Sequence, residues 1–126
     1  MSEPLRGVVV SHAELAGALV GAVRAISGVD DALVPVSNEG CDPKALAARI
    51  EAAIGGVPAV LFVDLPGGSC LTSAIRLAHG HADVAVVTGV NLAMLLDFVF
   101  HRDVSPGEAA RRAVEAGGRA IRSPAA

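Results

Sequence analysis

The sequence predicts an open, doubly wound α/β sheet, mainly parallel, with helices on both faces. Two observations carry this reading. Short runs of branched aliphatic residues alternate with longer stretches of helical period, the pattern of repeated strand–helix–strand units. The strand runs are also continuously apolar, as strands covered on both faces must be. At 126 residues the chain fits one domain, 1–126, long enough to bury a core of its own.

The elements follow in order. Residues 5–11, "LRGVVVS", form a first strand buried on both faces. In 13–27, Leu15, Leu19, Val23 and Ile26 share one helical face, and Gly28 is a stop signal. Residues 32–37, "ALVPVS", form a second strand; Pro35 cannot donate a ladder hydrogen bond, which places it at a sheet edge. Asp42-Pro43 reads as an N-cap followed by proline at the first helical position, with Leu46, Ile50 and Ile54 as the buried stripe behind it. "VPAVLFVD", 57–64, is the third strand, and "LPGGS" a tight loop before a helix from about Cys70 to Ala78. "DVAVVTG", 83–89, is the fourth strand. Asn91 caps a helix to about Phe100, and Ser105-Pro106-Gly107-Glu108 has the spacing of a capping box. "GGRAIRS", 117–123, reads as a short terminal strand.

Composition excludes several functions. The chain is 52% hydrophobic but 2% aromatic, with three Phe and neither Trp nor Tyr. The stacking platforms of single-strand nucleic-acid binders are therefore absent. Net charge is −3, and no basic cluster exceeds Arg111-Arg112, which speaks against nucleic acid and anionic membrane as partners. The most apolar stretch, Val84–Leu96, is interrupted by Thr88 and Asn91 and falls short of the roughly 18 residues of a span. The start "MSEPLRG" lacks the basic and apolar regions of a signal peptide. Cys41 and Cys70 have no metal-ligand spacing, so a reducing cytoplasm is expected.

In open α/β sheets, ligands bind beyond the carboxyl ends of the strands where strand order reverses. If the order is 2-1-3-4, that point lies between strands one and three. Strand one then delivers Ser11 and His12, and strand three Asp64 followed by Gly67, Gly68 and Ser69. A carboxylate bonded to one imidazole nitrogen fixes the tautomer and leaves the other nitrogen as a nucleophile. Two glycines let the backbone approach an oxyanion, and the helix starting at Ser69 offers free N–H groups and a positive dipole end. These parts make a phosphoryl-accepting site in which His12 and Asp64 do the chemistry, with phosphate held by Gly67, Gly68, Ser69 and Ser11.

Other candidates carry less. His79 and His81 supply only two metal ligands and read as a solvated helix end; His101 reads as a helix C-terminus. Cys70 stands at a helix start, which can lower a thiol pKa, though a small packing residue is the preferred reading. No glycine precedes Lys44 at the spacing of a phosphate-binding Walker loop.

The stretches "VVVSHAEL", "LFVDLPGGSCLTSA" and "VVTGVNLAMLLDF" together resemble the IIA component of the mannose-type family of the bacterial phosphoenolpyruvate-dependent sugar phosphotransferase system. The resemblance covers nearly the whole chain. It implies strand order 2-1-3-4 with an antiparallel C-terminal strand exchanged between the subunits of a homodimer, a role open to "GGRAIRS". It implies that His12 takes phosphate on Nε2 from the histidine-phosphocarrier protein and passes it to a IIB partner, and that Asp64 orients His12 through Nδ1. Gly67–Ser69 would form the phosphate cradle, with no metal, nucleotide or other cofactor in the transfer. Three positions depart from the family pattern. Ala13 stands where glycine is frequent, Pro66 replaces an aromatic residue and Cys70 replaces proline.

Two other roles share these motifs: a regulatory module phosphorylated on His12, and the phosphocarrier subunit of a dihydroxyacetone kinase. The "GGS" loop and Gly89–Asn91 fit the mannose type better than the kinase subunit. A receiver domain phosphorylated on Asp64 lacks its acidic pair after strand one and its late lysine.

Overall fold

A computed structural model describes residues 4–125. Met1–Glu3 of the "MSEPLRG" start and the final Ala126 lie outside the described residues. The chain runs β1 (Arg6–Ser11), α1 (Leu15–Ser27), β2 (Leu33–Ser37), α2 (Pro43–Ile54), β3 (Ala59–Val63), α3 (Gly68–His79), β4 (Val84–Thr88), α4 (Leu92–Val99) and α5 (Pro106–Arg119). All pairings are parallel and the sheet order is β2-β1-β3-β4.

Given this order, chirality decides which face each helix covers. Parallel crossovers are right-handed, so a connection to the left of β1 and connections to its right must use opposite faces of the sheet. α1 therefore packs on one face with α4 and α5, and α2 and α3 pack on the other. The strands sort their side chains by alternation. Val9, Val60 and Phe62 face the α1/α4/α5 layer with Val20, Val23, Leu95 and Phe98. Val8, Val10, Leu61 and Val63 face Leu46, Ile50, Ile54 and Ala74. Phe62 and Phe98 meet edge to face at 5.1 Å, a geometry favoured by the ring quadrupoles. Pro35 lies on the edge strand β2, as its missing N–H requires.

The capping residues act as their types predict. Asp42 accepts from Ala45 N–H at 2.7 Å, Asn91 from Met94 N–H at 3.0 Å and Ser105 from Glu108 N–H at 3.1 Å. α3 begins two residues before the position expected from sequence, because Gly68 opens it. Among the described residues, no helix is long and apolar enough to cross a membrane.

One expected element is not formed. "GGRAIRS" is not an antiparallel strand: Gly117–Arg119 complete α5, and residues 120–123 pair with no strand. Tertiary packing overrides the poor helix propensity of two glycines here. Gly117 lies against α4 so closely that a Cβ on it would stand 2.7 Å from Met94 Cε, and its carbonyl accepts the Asn91 side-chain amide at 3.1 Å.

Gly7 is a second close approach, in the middle of the sheet. A Cβ there would lie 2.6 Å from Leu33 Cδ2, 2.7 Å from Phe98 Cε2 and 3.2 Å from Phe62 Cε2. Gly7→Ala should therefore destabilise the fold by about 1–3 kcal/mol through overpacking. A denaturant midpoint equal to wild type would show that the core yields there.

Candidate active site

β1 and β3 lie side by side with Val10 beside Val63, so the two strands end at one level. Asp64 N–H donates to Val10 C=O at 3.2 Å, which carries the ladder one residue further. The chain then leaves β1 for one face and β3 for the other, opening a crevice at the strand ends. His12 and Asp64 face each other across it.

Asp64 Oδ2 accepts two hydrogen bonds from His12, from the backbone N–H at 2.9 Å and from ring Nδ1 at 2.8 Å. Oδ1 accepts from Leu65 N–H at 3.0 Å. The carboxylate is nearly buried, at 8% side-chain exposure, whereas the His12 side chain is 43% exposed. Burial alone pushes the Asp64 carboxyl up. The His12 backbone N–H, the ring hydrogen bond and the attraction of the ring outweigh it and hold the group below its ordinary 3.8. Asp64 is therefore ionised at neutral pH and can only accept, so the proton of the Asp64–His12 bond sits on Nδ1. In the neutral ring the lone pair is then on Nε2.

Nε2 looks toward the turn before α3. A Cβ on Gly68 would lie 3.9 Å from His12 Cε1 and from Nε2. Space does not forbid a side chain there, but the backbone does, because Gly68 has φ +88°. Gly67, the extended N-cap of α3, gives the helix no side-chain cap. The first N–H groups of α3 are thus not taken by a capping side chain, and Gly67, Gly68 and Ser69 are all exposed.

Ser11 turns the other way. It is fully buried, its Oγ accepting Ala16 N–H at 2.7 Å and donating to His12 C=O at 3.2 Å. It does for α1 what the N-cap residue Glu14, which makes no side-chain capping bond, does not. Five of the six residues expected to gather at the crevice surround it; the Ser11 hydroxyl is spent on holding the loop.

Ala13 takes the left-handed conformation, φ +51°, and is the one described non-glycine residue with positive φ. This explains why glycine suits the position after the histidine. The left-handed region costs an L-residue about 1–2 kcal/mol, and that strain lies next to the His12 ring.

Cys70 belongs to the site more closely than the sequence indicates. Its Sγ is fully buried and 3.9 Å from His12 Nδ1. Burial and then the Asp64 charge push the thiol up, against a smaller opposing effect of the Ser69 hydroxyl. The lowering that a helix start can give does not prevail. The sequence signal was spacing: six residues after Asp64 is one turn into α3. His81 pairs with Glu51 at 3.2 Å and His101 bonds Asp97 C=O at 2.8 Å, both away from the crevice. In Gly89–Asn91, Val90 N–H donates to Val63 C=O at 3.1 Å and Asn91 joins α4 to α5. That motif braces the strand end.

Two outcomes follow from this geometry. A carboxyl whose native pKa is depressed contributes stability that is fully present above its ordinary value and lost as pH falls through the native one. The stability gap between wild type and Asp64→Asn should therefore hold steady above about pH 5 and narrow as pH falls through 3.8 and below in urea titrations; a gap that stays constant on acidification would leave the Asp64 charge without a role. Ala13→Gly should gain about 1 kcal/mol by relieving the left-handed strain, and a loss of stability would contradict the strain.

Residues 7–115 match the family model described as the PTS system fructose IIA component, EIIA-man. No curated protein matches the sequence. Among solved structures, the chain is similar to phosphotransferase system component EIIA from Streptococcus agalactiae (TM-score 0.87, 17% identity, covering 94% of this chain and 96% of that one). It is likewise similar to the mannose/sorbose specific IIA subunit from Enterococcus faecalis (0.83, 22%, 96% and 95%). A sigma-54 interaction domain protein from Enterococcus faecalis shares the fold at TM-score 0.74 and 10% identity, covering 97% and 96%. With the family model spanning most of the chain, this protein belongs to the IIA components of the sugar phosphotransferase system, the mannose-type group whose role is to carry a phosphoryl group.

Proposed function

We propose that this protein accepts a phosphoryl group on His12 Nε2 from the histidine-phosphocarrier protein and hands it to a IIB partner in sugar uptake. The observation that carries the reading is the Nδ1–Asp64 hydrogen bond, which in the neutral ring puts the free lone pair on Nε2, opposite the start of α3. Nε2 attacks phosphorus in line as the N–P bond to the donor imidazole breaks. The His12 ring becomes cationic, and the ionised Asp64 stabilises it. The N–H groups of Gly67, Gly68 and Ser69 receive the phosphoryl oxygens, whose charge the helix start favours. In the forward step the IIB nucleophile takes the phosphorus and His12 returns to neutral. Both states have similar bonds, so positioning and charge balance are the whole of the protein's task.

An open site fits a relay, because each partner must bring its own reacting group to the phosphorus. Exposed Leu15 and Leu65, one on each side of the His12–Asp64 pair, give an apolar rim for docking. A cytoplasmic location and a homodimer using the free β4 edge belong to the same proposal. The chemistry is unchanged if phosphorylated His12 serves as a regulatory signal, a reading kept in view by the sigma-54 interaction domain neighbour.

Incubation with phosphoenolpyruvate, enzyme I and the phosphocarrier protein should add one acid-labile, base-stable phosphate, and His12→Ala should abolish it. Label persisting in His12→Ala would remove His12 from the mechanism. Asp64→Asn should slow transfer by about 100-fold or more, since an amide donating to Nδ1 selects the wrong tautomer. An unchanged rate would reduce Asp64 to a structural role.

A further inference from the structure

We propose that His12, Asp64 and Cys70 form a site for a thiophilic divalent cation of the Zn²⁺ type, whose occupancy blocks His12 from accepting phosphate. The binding half stands on geometry; the blocking half rests on the phosphoacceptor reading above.

Among the described residues, these three offer a nitrogen, a carboxylate oxygen and a sulfur all within 4.8 Å of one another. His12 Nδ1 is 2.8 Å from Asp64 Oδ2 and 3.9 Å from Cys70 Sγ. Tetrahedral zinc with bonds of about 2.0–2.3 Å sets its ligand atoms about 3.3–3.6 Å apart. The two separations from Nδ1 bracket that spacing and the carboxylate-to-sulfur separation lies within 4.8 Å, so closing on a metal asks the three side chains to draw together rather than to be brought in from elsewhere. One imidazole, one carboxylate and one thiolate form a donor set suited to zinc and poorly suited to magnesium or calcium. Two ionised ligands balance a dication, and water can fill the fourth position from the solvent side, where His12 is 43% exposed.

The elements that hold the three residues are rigid. His12 and Asp64 extend paired strands, and Cys70 is packed in the first turn of α3 against the β3 layer. The thiol gives this chain a ligand that its other site residues do not provide.

Binding balances as follows. Cys70 loses its thiol proton to solvent, Asp64 is already ionised, and the Nδ1 proton is exchanged for one on Nε2 as the metal takes Nδ1. His12 stays neutral and one proton is released per metal bound. The ring then carries hydrogen on Nε2, the nitrogen that must attack phosphorus, and Asp64 no longer accepts from the ring. The cation occupies the place of the proton that otherwise sets the tautomer.

Cobalt titration of the metal-free, reduced chain tests the site. One equivalent of Co²⁺ should produce a thiolate-to-cobalt absorption band that Zn²⁺ displaces. Cys41→Ala should keep the band, and Cys70→Ala and His12→Gln should lose it. Zn²⁺ affinity should fall more than about 100-fold in Cys70→Ala, beyond the 10–100-fold of a lost outer-shell partner. No band in the wild type, a band surviving in Cys70→Ala, or one lost in Cys41→Ala would overturn the site. His12→Gln, half-exposed, keeps the test decisive if removal of the buried thiol unfolds the chain. In the phosphorylation assay, Zn²⁺ should suppress labelling of the wild type and spare Cys70→Ala. Equal labelling of the metal-loaded wild type would overturn the blocking. A chain that takes no label with or without zinc would overturn the phosphoacceptor reading instead, leaving the cobalt band to judge the site.

Discussion

The hydrogen bond between Asp64 and the His12 ring is the interaction on which the candidate site depends. It exists because β1 and β3 are neighbours in parallel register and stop together. Asp64 also accepts the His12 backbone N–H, so one oxygen positions both the chain and the ring. Shifting the β1–β3 register by one residue would separate the pair and reverse the facing of Val8, Val9 and Val10 in a core filled on both sides. The packing that holds the sheet together therefore also aligns the ring with its carboxylate.

Around that bond, local order is bought unevenly. The β1–α1 loop gives up conformational freedom at Ala13 and recovers backbone satisfaction through Ser11, whose buried hydroxyl serves Ala16 N–H and His12 C=O. The β3–α3 turn avoids strain with glycine at Gly68 and gives α3 no capping side chain. A helix elsewhere in the chain that lacked a cap would lose roughly 1 kcal/mol. Here the missing cap leaves N–H groups that an anion can use, and the neighbouring helices α2, α4 and α5 all carry conventional caps. The contrast marks the crevice as the place where stability is given up.

Much of the architecture was legible because it rests on signals that are local. Asp42-Pro43, Asn91 and Ser105 announce helix starts through side chains that bond within three residues, and Pro35 announces an edge strand through a donor it lacks. Continuous apolar runs announced β1 and β3 as strands buried on both faces, whereas the equally apolar β4 run lies at the sheet edge and is only partly buried. His12, Asp64 and the Gly67–Ser69 turn were legible as strand-end residues once the reversal of strand order was assumed, and the sheet order bears that assumption out. The terminal strand was misread because Gly-Gly is a poor helix signal in isolation. The contact that makes Gly117 helical, a backbone pressed on Met94 and Asn91, comes from another helix.

By itself, the sequence determined the succession of strands and helices, the faces they bury and the residue types brought to the strand ends, since period and capping act over a few residues. Tertiary structure alone decided what those residues do to one another. It turned the Ser11 hydroxyl inward, set Ala13 into a left-handed turn and brought Cys70 within 3.9 Å of the His12 ring. Each of these depends on the direction of a side chain or a backbone dihedral, and those are settled by packing between elements distant in the chain.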